Sequence, residues 1–198
     1  MHDARLEQLL AKQEIAERLH DYVRAMDRMD DALGCSVFHP DAPADYGAMY
    51  RGTGHGFVEF VHGSHEQLLA HTHQLGSMSI AVAGERAVSE TYVTVTLRGR
   101  APDGSLFDIR SCGRYLDRWE QRDGRWRVAA GQASAAWVAF SQPRVPSGTR
   151  RQLGSDLIAI ECPSARSMRR PRSMPANEKE FRAFTASTWR PGGNRGDG

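Results

Sequence analysis

The sequence predicts an α+β fold in which helices come first and a long antiparallel meander follows. Three observations carry this. Apolar residues recur at three- and four-residue spacings through the first 28 positions, strict alternation takes over from about Ser77, and short turn signals at Gly84 and Asp123-Gly124 join the alternating runs. A curved antiparallel sheet wrapped on N-terminal helices would enclose a pocket.

The elements follow in order. Leu6, Leu9, Leu10, Ile15, Leu19, Tyr22, Val23 and Met26 form the apolar stripe of a helix from about Asp3 to Arg28. A shorter helix is expected over "DDALGCSVF", with His39-Pro40 as its stop, because the residue before proline is pushed out of the helical region. An extended piece lies around "ADYGAMY". The stretch "GFVEFVHGSHEQLLAHT" reads as a third helix interrupted at Gly63-Ser64. Beyond it, "SMSIAVAGERAVSETYVTVTLRG" and "FDIRSCGRYLDRWEQRDGRWRVAAG" each read as two strands about a tight turn.

Charge divides the chain. The formal net charge is +2 over 198 residues. Residues 143–198 carry 11 Lys+Arg against 5 Asp+Glu, which leaves 15 against 19 in residues 1–142. Six of the nine prolines also lie after Gln142, in Arg/Ser/Pro-rich stretches without an apolar period. The expectation is therefore one domain over 1–142 and a basic, mostly disordered tail over 143–198. No aromatic-basic interleaving points to nucleic acid. The three cysteines are far apart and in no CxxC arrangement, so neither disulfides nor a zinc knuckle is expected. No signal-peptide core and no apolar run near 18 residues occur, so a cytoplasmic protein without membrane partners is expected.

The stretch "HTHQLGS" raises the chemical question. On a strand, His71 and His73 point to one face, the spacing of a metal clamp, but all eight histidines precede Gln74, and Glu90, Asp108 and Asp117 on later strands make no ligand pattern with them. No metal is expected. A histidine oriented by one buried carboxylate can instead act as a general base near neutral pH, and Asp27, beside the apolar stripe, is its natural partner if the helix crosses the sheet mouth. Taken alone, Asp27 reads equally as a solvated acid of "DRMDD", and Tyr22 as a core tyrosine.

The segments "LLAKQEIAERLHDYVRAMDRMD", "HPDA", "HQLGSMSIAVAGERAVSETY" and "GRYLDRWEQRDGRWRV", in this order and separation, resemble the SnoaL-like family of the NTF2-like superfamily over residues 4 to 140. The resemblance implies a cone-shaped curved sheet closing an apolar cavity, and homodimers or homotrimers. It also implies relatives such as scytalone dehydratase, bile acid 7α-dehydratase and lindane dehydrochlorinase. Residue by residue, it implies an Asp27–His73 catalytic dyad, with Tyr22 and Tyr46 matching active-site tyrosines of the bile acid enzyme. Two positions depart from the pattern: where relatives carry a late basic residue this chain has Gly131 and Gln132, and where the dehydrochlorinase has a lysine it has Tyr22. Arg110 could replace the missing cation if it faced inward. The function so implied is a cofactor-independent lyase of the dehydratase type, acting on a small hydrophobic cyclic, aromatic or steroid-like substrate. The alternatives are a polyketide cyclase or ketosteroid-type isomerase, or a non-catalytic ligand binder or dioxygenase β-subunit-like scaffold.

Overall fold

Helix α1 spans His2–Arg28, α2 Asp31–Ser36 and α3 Gly54–His65; the strands are β1 Pro43–Asp45, β2 Arg51–Thr53, β3 Ala70–Ala83, β4 Arg86–Arg100, β5 Leu106–Arg122, β6 Arg125–Ser141 and β7 Ile158–Ile160. This computed structural model describes residues 2–47, 49–141 and 158–160. The strands form one mixed, curved sheet in the order β2-β1-β6-β5-β4-β3, with β7 paired to β6 beyond β1. The expected tail over 143–198 otherwise lies outside the described residues, and at Ile158–Ile160 the sheet takes in three of its positions.

The long meander is the scaffold, and its turns form where the sequence marks them. Gly84 takes a positive φ of 59°, and Asp123 and Gly124 take 53° and 69°, the pair of left-handed residues that a two-residue hairpin turn needs. Alternation then decides facing. On β5, Tyr115, Asp117 and Trp119 are buried on the helix-covered face. The opposite face carries Arg114 paired to Glu90 at 2.5 Å, and Arg98 to Asp108 at 2.7 Å. Arg110 is exposed and pairs in register with Thr96, on the side of Cys112 and Arg114, so it does not enter the inner face.

The helices close that inner face, though less completely than the apolar stripe suggests. Ile15, Leu19, Tyr22, Ala25 and Met26 are at most 5% exposed, whereas Leu6, Leu9 and Leu10 are more than half exposed. Helix α2 begins one residue later than its sequence suggests: Asp30 caps it, its carboxylate accepting from the Leu33 N–H at 2.9 Å. It stops at Ser36, before His39-Pro40, because Val37, Phe38 and His39 run beside β6, where Val128 N–H donates to Val37 O and His39 N–H to Val128 O.

Helix α3 differs most from its expected extent. Thr53 caps it through Gly56 N–H, and it passes Gly63-Ser64 without a break, Ser64 Oγ donating back to Val61 O. It ends at His65, so Ala70, His71 and Thr72 belong to β3 rather than to a helix end. The extended piece after α2 proves to be a small hairpin, β1–β2, whose first strand lies parallel to β6 with Ala44 opposite Gly131. That pairing carries Tyr46 to the inner face, where its ring stacks on Phe57 at 3.6 Å between centroids.

Candidate functional site

Asp27 sits in the last turn of α1, directly after the buried Met26, and His73 sits on β3, the edge strand of the sheet. An edge strand leaves N–H groups without a strand partner. The His73 N–H on this open side donates to Asp27 Oδ2 at 3.1 Å, and the ring pairs through Nδ1 with Asp27 Oδ1 at 2.7 Å. One carboxylate thus fixes both backbone and ring. Burial alone would favour the neutral acid, but the hydrogen bonds from the His73 ring and backbone, with the neighbouring imidazoles, outweigh it and hold the Asp27 carboxyl below its ordinary range. With Nδ1–H donating to Asp27, the lone pair of His73 lies on Nε2. The His73 side chain is 6% exposed. This geometry suits proton abstraction.

His71 has a different task. Its Nε2–H donates to Met26 O at 3.1 Å, tying β3 to the end of α1, and its Nδ1 is buried without a partner among the described residues. No group of three or more potential metal ligands occurs among the described residues. With no third ligand gathered beside the two rings among the described residues, prolonged dialysis against a chelator is expected to leave the melting temperature and any activity unchanged. A stoichiometric transition metal in the purified protein, lost together with stability, would contradict this.

His65, at the end of α3, packs its ring 4.7 Å from that of His71 and 6.1 Å from that of His73. Burial, reinforced by His71, His73 and His62 and opposed by Asp27, pushes it down to about 4. It is neutral at pH 7. Since a histidine in the unfolded chain titrates at about 6.5, unfolding takes up a proton between that value and about 4, so stability is full above this window and is lost as the pH falls through it. The melting temperature should therefore drop across this window, and His65→Phe should make the drop shallower. Identical slopes in the two proteins would show that His65 does not contribute.

The remaining polar groups lie further along the same face. Tyr22 packs edge-on against Tyr115 and Phe38, with centroids 5.6 and 5.7 Å away. The hydroxyls of Tyr22 and Tyr46 are near enough to influence each other, and burial raises Tyr22, Tyr46 and Tyr115 well above the ordinary phenol range. Asp117 is 7% exposed, and burial pushes its carboxyl up to about 8. The structure thus brings Asp27 into contact with His73 and gathers Tyr22 and Tyr46 into a second group beside Asp117, while Arg110 stays outside. Sequence reasoning passed over His65, Tyr115 and Asp117 as site residues. The signal for Asp117 was present in the alternation "YLDRW", which places an acid between two inward aromatic residues.

Comparison with known proteins fits this architecture. No curated protein matches the chain by sequence. Among solved structures, LinA superposes with a TM-score of 0.60 at 17% identity, covering 77% of this chain and 100% of LinA. A candidate scytalone dehydratase from Novosphingobium aromaticivorans gives 0.59 at 19% identity, covering 76% and 100%. A hexachlorocyclohexane dehydrochlorinase, LinA type 2, gives 0.56 at 15% identity, covering 74% and 96%. At these identities the likeness speaks for the fold. The model of the SnoaL-like domain matches residues 7–131, which include most of α1, most of the meander and every residue of the site described above, and the chain belongs to this SnoaL-like family of NTF2-like proteins.

Proposed function

We propose that the protein is a cofactor-independent lyase that eliminates water from a hydrophobic cyclic, aromatic or steroid-like hydroxyketone. The observation that carries the reading is the Asp27–His73 pair, in which a carboxylate on α1 grips both the ring and the backbone of a histidine whose other nitrogen is uncommitted. His73 Nε2 takes the proton α to a carbonyl or vinylogous carbonyl, and the C–H electron pair moves into the conjugated system. Asp27 stabilises the imidazolium that results. As the new double bond forms, the C–O bond breaks and the hydroxyl departs as water with a proton returned from the imidazolium. Tyr22 and Tyr46, held neutral by burial, can donate to oxygen as charge develops there.

The names of the structural neighbours, a candidate scytalone dehydratase and a dehydrochlorinase, support elimination within this family. Loss of water is favoured over loss of chloride because Tyr22, a neutral donor to oxygen, stands where the resemblance to the dehydrochlorinase would place a lysine. The test is a screen of hydroxylated cyclic ketones for the ultraviolet absorption of new conjugation. Wild-type protein is expected to produce it and His73→Ala to fail. Products that are isomerised or cyclised without loss of water would replace the dehydratase with the isomerase or cyclase.

A further inference from the structure

His65 and His71 stand beside the Asp27–His73 pair, and each keeps a buried ring nitrogen, Nδ1, that meets no partner among the described residues. Their rings are 4.7 Å apart between centroids and tilted by 38°. They come together from different elements: His65 ends α3, and His71 is the second residue of β3. His65 is 8% exposed. A polar atom left unsatisfied away from water is destabilising, and two on neighbouring rings are satisfied together by one ligand of the right chemistry.

The protons on the two rings define that chemistry. His71 Nε2–H donates to Met26 O at 3.1 Å, so in the neutral ring Nδ1 holds a lone pair and only accepts. His65 is neutral at pH 7, because burial first, and then the neighbouring imidazoles, disfavour its cation. A neutral imidazole has one N–H, and with that proton on Nδ1 it donates. The two rings then offer one donor and one acceptor in a desolvated corner. A hydroxyl group, which accepts and donates at a single oxygen, complements both. A ketone oxygen or a chlorine only accepts and leaves the His71 lone pair unmet.

Position ties this pair to the reaction. His71 and His73 face the same side of β3, two positions apart, and the His65 ring lies 6.1 Å from that of His73. A hydroxyl held between His65 and His71 is therefore next to the base, so the C–H facing His73 and the C–OH held by the pair belong to neighbouring carbons. We propose that His65 and His71 form the subsite for the departing hydroxyl of the substrate, His65 Nδ1–H donating to its oxygen and its O–H donating to His71 Nδ1. The inference rests on the lyase reading and adds the group that leaves. No proton passes to either ring. The C–O bond breaks with its electron pair on oxygen, that oxygen takes its second proton from the His73 imidazolium, and the water formed keeps both hydrogen bonds. Because the hydroxyl is held alike before and during the reaction, loss of the subsite raises KM more than it lowers kcat.

Calorimetric titration at pH 7 with three ligands of one ring system tests this without turnover: 2-indanol, whose hydroxyl donates and accepts, 2-indanone, whose carbonyl only accepts, and indane, which does neither. Wild type should bind the alcohol at least about tenfold more tightly than the ketone, because the ketone leaves a buried acceptor unmet. His65→Phe keeps a ring but loses the donor, so it should weaken the alcohol at least about tenfold and leave indane within about threefold of wild type, whereas a merely structural role would move both. His65→Asn places an amide N–H near the position of Nδ1 and should hold the alcohol within about threefold of wild type. Equal wild-type affinities for alcohol and ketone, an alcohol affinity unmoved by His65→Phe, indane weakened as much as the alcohol, an Asn variant as weak as the Phe variant, or a wild-type protein that binds none of the three would each overturn the proposal. Binding, not turnover, is read here. The expected preferences together with full turnover in His73→Ala would remove the lyase reading and leave the hydroxyl subsite standing; loss of turnover in His73→Ala together with an alcohol affinity unmoved by His65→Phe would do the reverse.

Discussion

His73→Ala is expected to reduce turnover by about 10²- to 10⁴-fold, the usual cost of removing a positioned general base. The substitution removes Nε2, the atom to which the proton is assigned, and frees Asp27 from its ring contact while leaving the backbone N–H contact to Asp27 available. Asp27→Asn should cost nearly as much for a different reason. The amide can hold the ring by one hydrogen bond, but it supplies no counter-charge to the imidazolium, and if its NH₂ group turns toward Nδ1 it leaves the proton on Nε2, where the base should have its lone pair. The diagnostic is the division between kcat and KM. A base used only in the transition state lowers kcat with little change in KM, whereas a residue that merely shapes the binding surface raises KM. His71→Ala serves as the comparison: its imidazole is tied to Met26 O, so the effect should fall on stability more than on kcat.

The largest effect on stability is expected at Trp119. The indole is 1% exposed on the inner face of β5, beside Ala87 in register, and its Nε1–H donates to Ser89 Oγ. Trp119→Ala removes that packing and leaves the Ser89 hydroxyl without its donor, so a destabilisation of about 3–5 kcal/mol is expected. Urea unfolding should show a lower midpoint with an unchanged slope. A midpoint close to wild type would mean that the sheet and α1 can collapse into the space.

What was legible in the sequence is what local pattern controls. The four long strands and their turns follow from alternation and from Gly84 and Asp123-Gly124, and α1 follows from its 3.6-residue period. Local pattern misled where a residue answers to a distant partner. Leu6, Leu9 and Leu10 continue the α1 stripe but are more than half exposed, since sequence period carries no information about how far a helix is covered. Leu68 and Leu69 look helical after α3, yet Leu69 N–H donates to Arg98 O, across from β4, as the chain enters β3. The β1–β2 hairpin is three residues a strand, too short to show a period, and its parallel pairing with β6 joins positions some 87 apart. The site divides in the same way. Asp27 and His73 could be matched as a pair from their places along the chain, whereas the meeting of Tyr46, Asp117 and Gly131 depends on that non-local pairing, and the raised Asp117 carboxyl on its burial.

The central claim is that Asp27 and His73 act as one catalytic unit, and a double-mutant cycle on turnover of the ketone found by the conjugation screen tests it most directly. Wild type, Asp27→Asn, His73→Ala and the double variant would be compared under single-turnover conditions, with thermal unfolding confirming that each is folded. Residues that form one unit are not additive, so the double variant should be within a few-fold of His73→Ala, far from the product of the two single losses. Multiplicative losses would mean that the two residues work separately, and full activity in a folded His73→Ala protein would contradict the account outright.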